Sequence, residues 1–278
     1  MHSLIRLGLE LPALLGDPGP GRIEGDLISV AEVARLAEDA ALSTLWLAEA
    51  GPGGIDPVPL AGSLAIATTR LGVGIMIRPS RGRHPSVLAR DVTTIDLLTD
   101  GRAAVALVED GAGPLDVERL GEAASILHLL FTEEEVTTSG RFYEVAELTT
   151  RPRPLRPEGP PVVAGILGPP VTADPWPESV VVGASADAYV TGGTPADVAA
   201  CRTRLEAVAP PGRRPTLLWR GALAGDPLRA AELAGSVLEA GADGLIAVLD
   251  PDSAAGGRLL RAAVGGLLDT VGRLADTA

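Results

Sequence analysis

Charged residues close several of the short apolar runs in this chain. Glu10 ends a run that begins at Leu4, Glu49 one that begins at Thr44, and Arg78 one that begins at Leu71. Glu109 and Asp110 end a run from Arg102, while Trp219 with Arg220, and Asp250, close two more in the last third. Gathered in one place, they would make a cluster of carboxylates with two arginines among them. Such a cluster can bind a polar ligand or tune protonation. The competing reading of each member is a solvated loop residue, because polar side chains mostly stay exposed.

Other chemistries find little support. The three histidines, His2, His84 and His128, lie far apart, and Cys201 falls within a helical pattern, so no metal-site spacing exists. No serine nucleophile elbow and no Walker-type loop occurs. His84 precedes Pro85 and has two readings: a ligand or proton donor, or a helix-start residue bonded to nearby backbone. Trp46 reads as core. Trp176, between Pro175 and Pro177, either closes over a pocket or pins a loop, and Trp219 stays open between core and site.

The elements that must position these residues alternate along the whole chain. Strands are expected at Leu4 to Glu10, Thr44 to Ala48, Leu71 to Ile77, Arg102 to Val108, Val162 to Ile166, Thr216 to Arg220 and Gly244 to Leu249. Either Ser179 to Val182 or Ala188 to Thr191 supplies the remaining strand. Between them, apolar spacing predicts helices from a Ser29 N-cap to Leu42, Pro57 to Thr68, His84 to Leu98 and Leu115 to Phe131. Further helices follow a Thr194 N-cap to Val208, over Leu228 to Ala240, and over Ser253 to Leu274. Gly101 reads as a helix C-cap. Gly140 to Val145 reads as a short hairpin strand, and the five prolines from Arg151 to Pro161 require an extended segment. Eight strands alternating with helices imply an α/β fold, a single (β/α)8 TIM barrel over residues 1–278. In such a barrel the C-terminal strand ends carry function, which is where the charged residues fall. The open doubly wound sheet is disfavoured, since no Gly-rich fingerprint follows the first strand.

Composition narrows the partners. The net charge of −13 repels phosphate backbones, which argues against nucleic acid. One cysteine cannot form an internal disulfide. The first ten residues carry charges inside a short apolar stretch. A signal peptide needs about 7–15 uninterrupted apolar residues, and a membrane span about 18. A soluble, cytoplasmic protein with no membrane partner is expected.

The chain also resembles the bacterial luciferase-like, flavin- or deazaflavin-dependent oxidoreductase family. The resemblance rests on Arg83-His84-Pro85 with the helix after it and Leu98-Thr99-Asp100-Gly101-Arg102, and on Ala40 to Glu49. The run Gly140-Arg141-Phe142-Tyr143-Glu144-Val145 and the proline-rich Arg151 to Pro161 complete it. It implies a barrel that binds FMN or deazaflavin at its mouth, acts as an oxidoreductase or monooxygenase on a small organic substrate, and pairs into a homodimer through helices near the second and third strands. By the same resemblance Glu49 and Glu109 are proton-handling or ring-contacting groups. Arg78 faces the cofactor or the substrate, Val108 lies at the cofactor site, and Gly165 and Gly168 belong to the phosphate end.

Three departures stand out. Ala50 follows Glu49 where the family commonly has His. Ala106, Val108 and Asp110 occupy positions where it usually has glycine. Pro169 and Pro170 remove two N–H donors from the phosphate turn. They support a second expectation, a cofactor-free paralogue acting as a binding or partner subunit.

Overall fold

A computed structural model describes residues 7–11, 23–49, 54–110, 113–167, 186–222 and 227–248. Eight parallel strands close into a barrel: β1 Leu7–Leu11, β2 Thr44–Ala48, β3 Gly72–Ile77, β4 Ala103–Glu109, β7 Val162–Ile166, β8 Ala188–Thr191, β9 Thr216–Ala222 and β10 Gly244–Val248. Around the ring the order is β1-β2-β3-β4-β7-β8-β9-β10, and β10 pairs back onto β1 through Leu7↔Leu245 to Glu10↔Val248. The expected barrel is therefore present. Ala188–Thr191 is its sixth strand, whereas Ser179 to Val182 lies outside the described residues, as do Gly168, Trp176, Asp250 and the expected last helix.

Helices α1 Ile23–Asp39, α2 Pro57–Ala67, α3 Pro85–Leu98, α4 Pro114–Thr132, α5 Pro195–Val208 and α6 Pro227–Glu239 separate the strands. Proline opens α2, α3, α4 and α5 at a position whose N–H would be unpaired anyway. Side chains cap three of them. Asp56 accepts the Val58 N–H, His84 accepts the Ser86 N–H, and Thr194 shares a capping box with Asp197. Gly101 and Asp100 both have positive φ (81° and 55°), which turns the chain sharply from α3 into β4.

Two expected elements differ. The first helix starts at Ile23, so Ser29 sits inside it rather than capping it. In the sequence, Ile23 and Leu27 already carry an i, i+4 apolar spacing ahead of Val30, so the helical pattern begins before Ser29. Of Gly140 to Val145, Glu144 and Val145 begin a hairpin strand as expected, while Gly140 to Tyr143 form the turn. That turn joins β5 Val136–Ser139 to β6 Glu144–Leu148 in an antiparallel hairpin between α4 and β7. Glu122 of α4 takes the N–H groups of Arg141, Phe142 and Tyr143, so those donors leave the ladder.

The aliphatic composition divides the interior into two cores. The larger lies between strands and helices. The smaller fills the lumen with Trp46, Met76, Ala104, Ala106, Val108, Val163, Ala188, Val190, Leu218 and Ile246. Trp46, fully buried, crosses the lumen from Gly8 to Gly74; a Cβ at either glycine would overlap the indole. Among the described residues no helix is long and apolar enough to cross a membrane.

Candidate functional site at the barrel mouth

Strand parity decides which strand-end residues face the lumen. On β1 the inward positions are Gly8 and Glu10, on β3 Gly74, Met76 and then Arg78, on β4 Ala106 and Val108, on β9 Leu218 and Arg220. Neighbouring residues such as Leu9, Ile77, Leu107 and Leu217 pack outward in the larger core.

Two bidentate ion pairs result. Arg220 donates Nε to Glu10 Oε2 at 2.5 Å and Nη2 to Glu10 Oε1 at 2.6 Å. Arg78 donates Nε to Asp110 Oδ2 at 2.6 Å and Nη2 to Asp110 Oδ1 at 2.8 Å. Fork-to-fork geometry fixes orientation as well as energy. Glu10 is only 1% exposed, and Arg220 is the partner that compensates its burial.

The pairs also feel each other. The Arg78 hydrogen bond holds the Asp110 carboxyl below its usual range against the pull of burial, with Arg81 and Arg220 adding to it. Burial works to lower the Arg78 pKa, and the Asp110 bond with the charges of Asp110, Glu49 and Glu10 outweighs it and raises it.

Glu49 completes the rim. Its Oε2 accepts the Arg78 backbone N–H at 3.0 Å, and its carbonyl accepts Arg78 Nη1 at 3.2 Å and Arg81 Nη1 at 3.3 Å. The Arg81 Nε stands 4.0 Å from Glu49 Oε2. Glu49 is half-buried at the edge of the mouth.

The other expected site residues are placed as follows. Val108 is inward but wholly buried beneath the charged rim. Glu109 shares the outward parity of Val105 and Leu107. Its Oε1 accepts the Ser80 N–H at 2.7 Å and its Oε2 the Ser80 hydroxyl at 2.6 Å. Burial pushes its pKa up, and the Ser80 bonds oppose that. Gly165 is inward on β7, where a Cβ would overlap the Val190 carbonyl oxygen; close approach of β7 and β8 requires glycine there. Gly168 lies outside the described residues. His84 is the α3 N-cap, its Nδ1 3.2 Å from the Ser86 N–H, which is the helix-start reading. Trp219 packs outward over Gly221 and donates Nε1 to the Gly193 carbonyl at 2.9 Å. Among the described residues no cluster could hold a metal.

Sequence reasoning missed Ser80, Arg81 and Tyr143. Ser80 and Arg81 belong to a short 3-10 turn, Pro79–Arg81, closed by Gly82 with φ 90°. Pro79 and Gly82 were its visible signals. Tyr143 reaches this turn from the hairpin, 64 residues away in sequence, and offered no local signal.

The description luciferase-like monooxygenase fits a family model over residues 11–216, and the chain belongs to that family. An F420-dependent glucose-6-phosphate dehydrogenase of Microbacterium testaceum is 27% identical over 176 residues, 56% of this chain and 50% of that protein. The chain thus spans about half the length of the curated relatives it matches. Among solved structures, the monooxygenase RslO1 from Streptomyces bottropensis superposes with a TM-score of 0.71 at 16% identity, covering 95% of this chain and 99% of that one. The oxygenating constituent of 3,6-diketocamphane monooxygenase from Pseudomonas putida, in complex with FMN, gives 0.71 at 12%, covering 95% and 99%. At these identities the superpositions show the shared barrel.

The mouth suits the ring of a flavin or deazaflavin in its donor chemistry. Three guanidinium groups, Arg78, Arg81 and Arg220, stand at the mouth and would supply charge-assisted donors to the polar edge of such a ring, Arg78 and Arg220 while held in place by Asp110 and Glu10. The lumen beneath is closed by the apolar Trp46, Met76 and Val108. Ala106 and Val108, both fully buried, put side chains rather than bare backbone under the mouth.

Proposed function

We propose that the chain is an oxidoreductase that uses FMN or a deazaflavin on a small organic substrate. The observation that carries the reading is the convergence of the Glu10–Arg220 and Arg78–Asp110 pairs over an apolar floor, at the end of the barrel where such folds place chemistry. When bound, the cofactor supplies hydride transfer or oxygen activation. The protein's own residues bind and orient. Arg78, Arg81 and Arg220 would be the donors to the polar edge of the ring, Val108 and Trp46 would form the floor, and the stretch of sequence after β7, with Gly168, would take the phosphate end, while Gly165 serves the wall between β7 and β8. Glu49, half-open and beside Arg81, is the candidate for holding and moving a proton.

The same reading makes the protein a cytoplasmic homodimer paired through α2 and α3. Ile66 on α2 is 83% exposed and Leu98 on α3 is 52% exposed, two apolar side chains that such pairing would cover.

The test is a titration of the purified chain with FMN and with the deazaflavin, each oxidised and reduced, followed by fluorescence and calorimetry. Saturable binding of one form, weakened in Arg78→Met and in Arg220→Met, supports the reading and selects the cofactor. Absence of binding by every form overturns it.

A further inference from the structure

The turn that carries the mouth arginines is gripped from two sides. From β4, Glu109 accepts both the backbone N–H and the hydroxyl of Ser80. From the hairpin, Tyr143 donates its hydroxyl to the Pro79 carbonyl at 3.3 Å, and its ring meets His84 edge-on with centroids 5.4 Å apart. Tyr143 is itself fixed, because the N–H groups of Arg141, Phe142 and Tyr143 all end on Glu122 at 2.8, 2.9 and 3.3 Å.

Barrel closure does not require this grip. β3 and β4 already pair from Val73↔Ala103 to Ile77↔Leu107. What the grip holds lies just beyond that ladder: Arg78 immediately before the turn and Arg81 at its end.

We infer that Glu109 and Tyr143 are positioning residues that set where the guanidinium groups of Arg78 and Arg81 stand at the mouth. The inference rests on the cofactor reading only for its binding measurement. A carboxylate that accepts two bonds from one residue makes a short charge-assisted contact. A glutamine at 109 keeps an acceptor for the Ser80 N–H and offers its amide N–H to the Ser80 oxygen, yet cannot exchange a proton at neutral pH. An alanine keeps neither contact. The pair of substitutions therefore separates positioning from proton chemistry.

The experiment uses the full chain with Glu109→Ala, Glu109→Gln, Tyr143→Phe and Ser80→Ala. Two quantities are read: affinity for FMN and for the deazaflavin, and the 15N resonances of the arginine Nε–H groups without ligand. Glu109→Ala is expected to weaken binding by about tenfold and Glu109→Gln by no more than about twofold, as befits loss or retention of buried hydrogen bonds. In the ligand-free spectra Glu109→Ala shifts the Arg78 resonance, bonded to Asp110, while those of Arg102 and Arg202 on the opposite end stay in place. Tyr143→Phe and Ser80→Ala shift it in the same direction by less, and they carry the test if Glu109→Ala fails to fold. Glu109→Gln falling as far as Glu109→Ala overturns the inference, as does an unmoved Arg78 resonance in every variant that folds. If the parent binds neither cofactor, the cofactor reading fails on its own and the arginine resonances decide the positioning claim.

Discussion

Arg220 and Glu10, 210 residues apart in the chain, meet through two hydrogen bonds of 2.5 and 2.6 Å inside the barrel. They stand on β9 and β1, which do not pair directly because β10 lies between them. The pair thus bridges the seam where the end of the described barrel returns to its beginning.

Removing one partner should be expensive. Arg220→Met leaves the Glu10 carboxylate buried and unpaired, at a cost of about 3 kcal/mol. Urea denaturation should show this as a lower midpoint with an unchanged slope. The double variant Glu10→Leu with Arg220→Met should recover most of the loss. A double variant as unstable as the single one would show that the seam depends on something other than this pair.

Asp96 sets a pH dependence of its own. It is fully buried, its Oδ2 accepts the Leu155 N–H at 3.1 Å, and burial pushes its pKa up against that bond and the charge of Arg156. A raised carboxyl keeps its proton in the folded chain after the unfolded chain has lost it, above about pH 4. The folded state then binds more protons, so this contribution to stability falls as pH rises from the unfolded value through the folded one. Asp110 and Glu38, both lowered, act in the opposite sense and lose their contribution as pH falls. Asp96→Asn should remove its slope alone from a stability profile measured between pH 4 and 7. An unchanged profile would mean that Asp96 is charged throughout.

Gly165→Ala should strike the barrel wall rather than a ligand. The added methyl meets the Val190 carbonyl oxygen, so β7 and β8 must part, at a cost on the order of 1–3 kcal/mol. Thermal melting measures it. A variant with the parent's melting temperature but weaker FMN binding would place the glycine in the cofactor site instead.

Much of this was legible because its causes are local. Pro57, Pro85 and Pro195 announce helix starts through their own geometry, Thr194 caps through a neighbour three residues on, and the aliphatic runs of β4 and β7 are short and bounded by turn residues, as buried strands are. The rule that barrel chemistry gathers at strand ends placed Glu10, Glu49, Arg78, Asp110 and Arg220 together. What stayed hidden depends on register. Val108, Glu109 and Asp110 are consecutive, and only the end of the β4 ladder shows that the middle one turns outward to Ser80. Tyr143 stayed hidden because its partner belongs to a different part of the chain.

Ile66→Glu tests the dimer. A charge at Ile66, in the last turn of α2, should weaken self-association on the order of tenfold or more if that helix forms the interface. Sedimentation velocity over a range of concentrations reads it. A parent that sediments as a monomer throughout would leave Ile66 a lone apolar residue in water.

Trp46, Gly8 and Gly74 have a joint consequence for descent. The indole occupies the room that side chains at 8 and 74 would need, so neither glycine can change while the tryptophan stays. A lineage that replaced Trp46 with a smaller residue would open a hollow and free both positions to enlarge. The three sites should therefore be inherited as one unit, and sister sequences should carry either all of the trio or a compensated substitute for it.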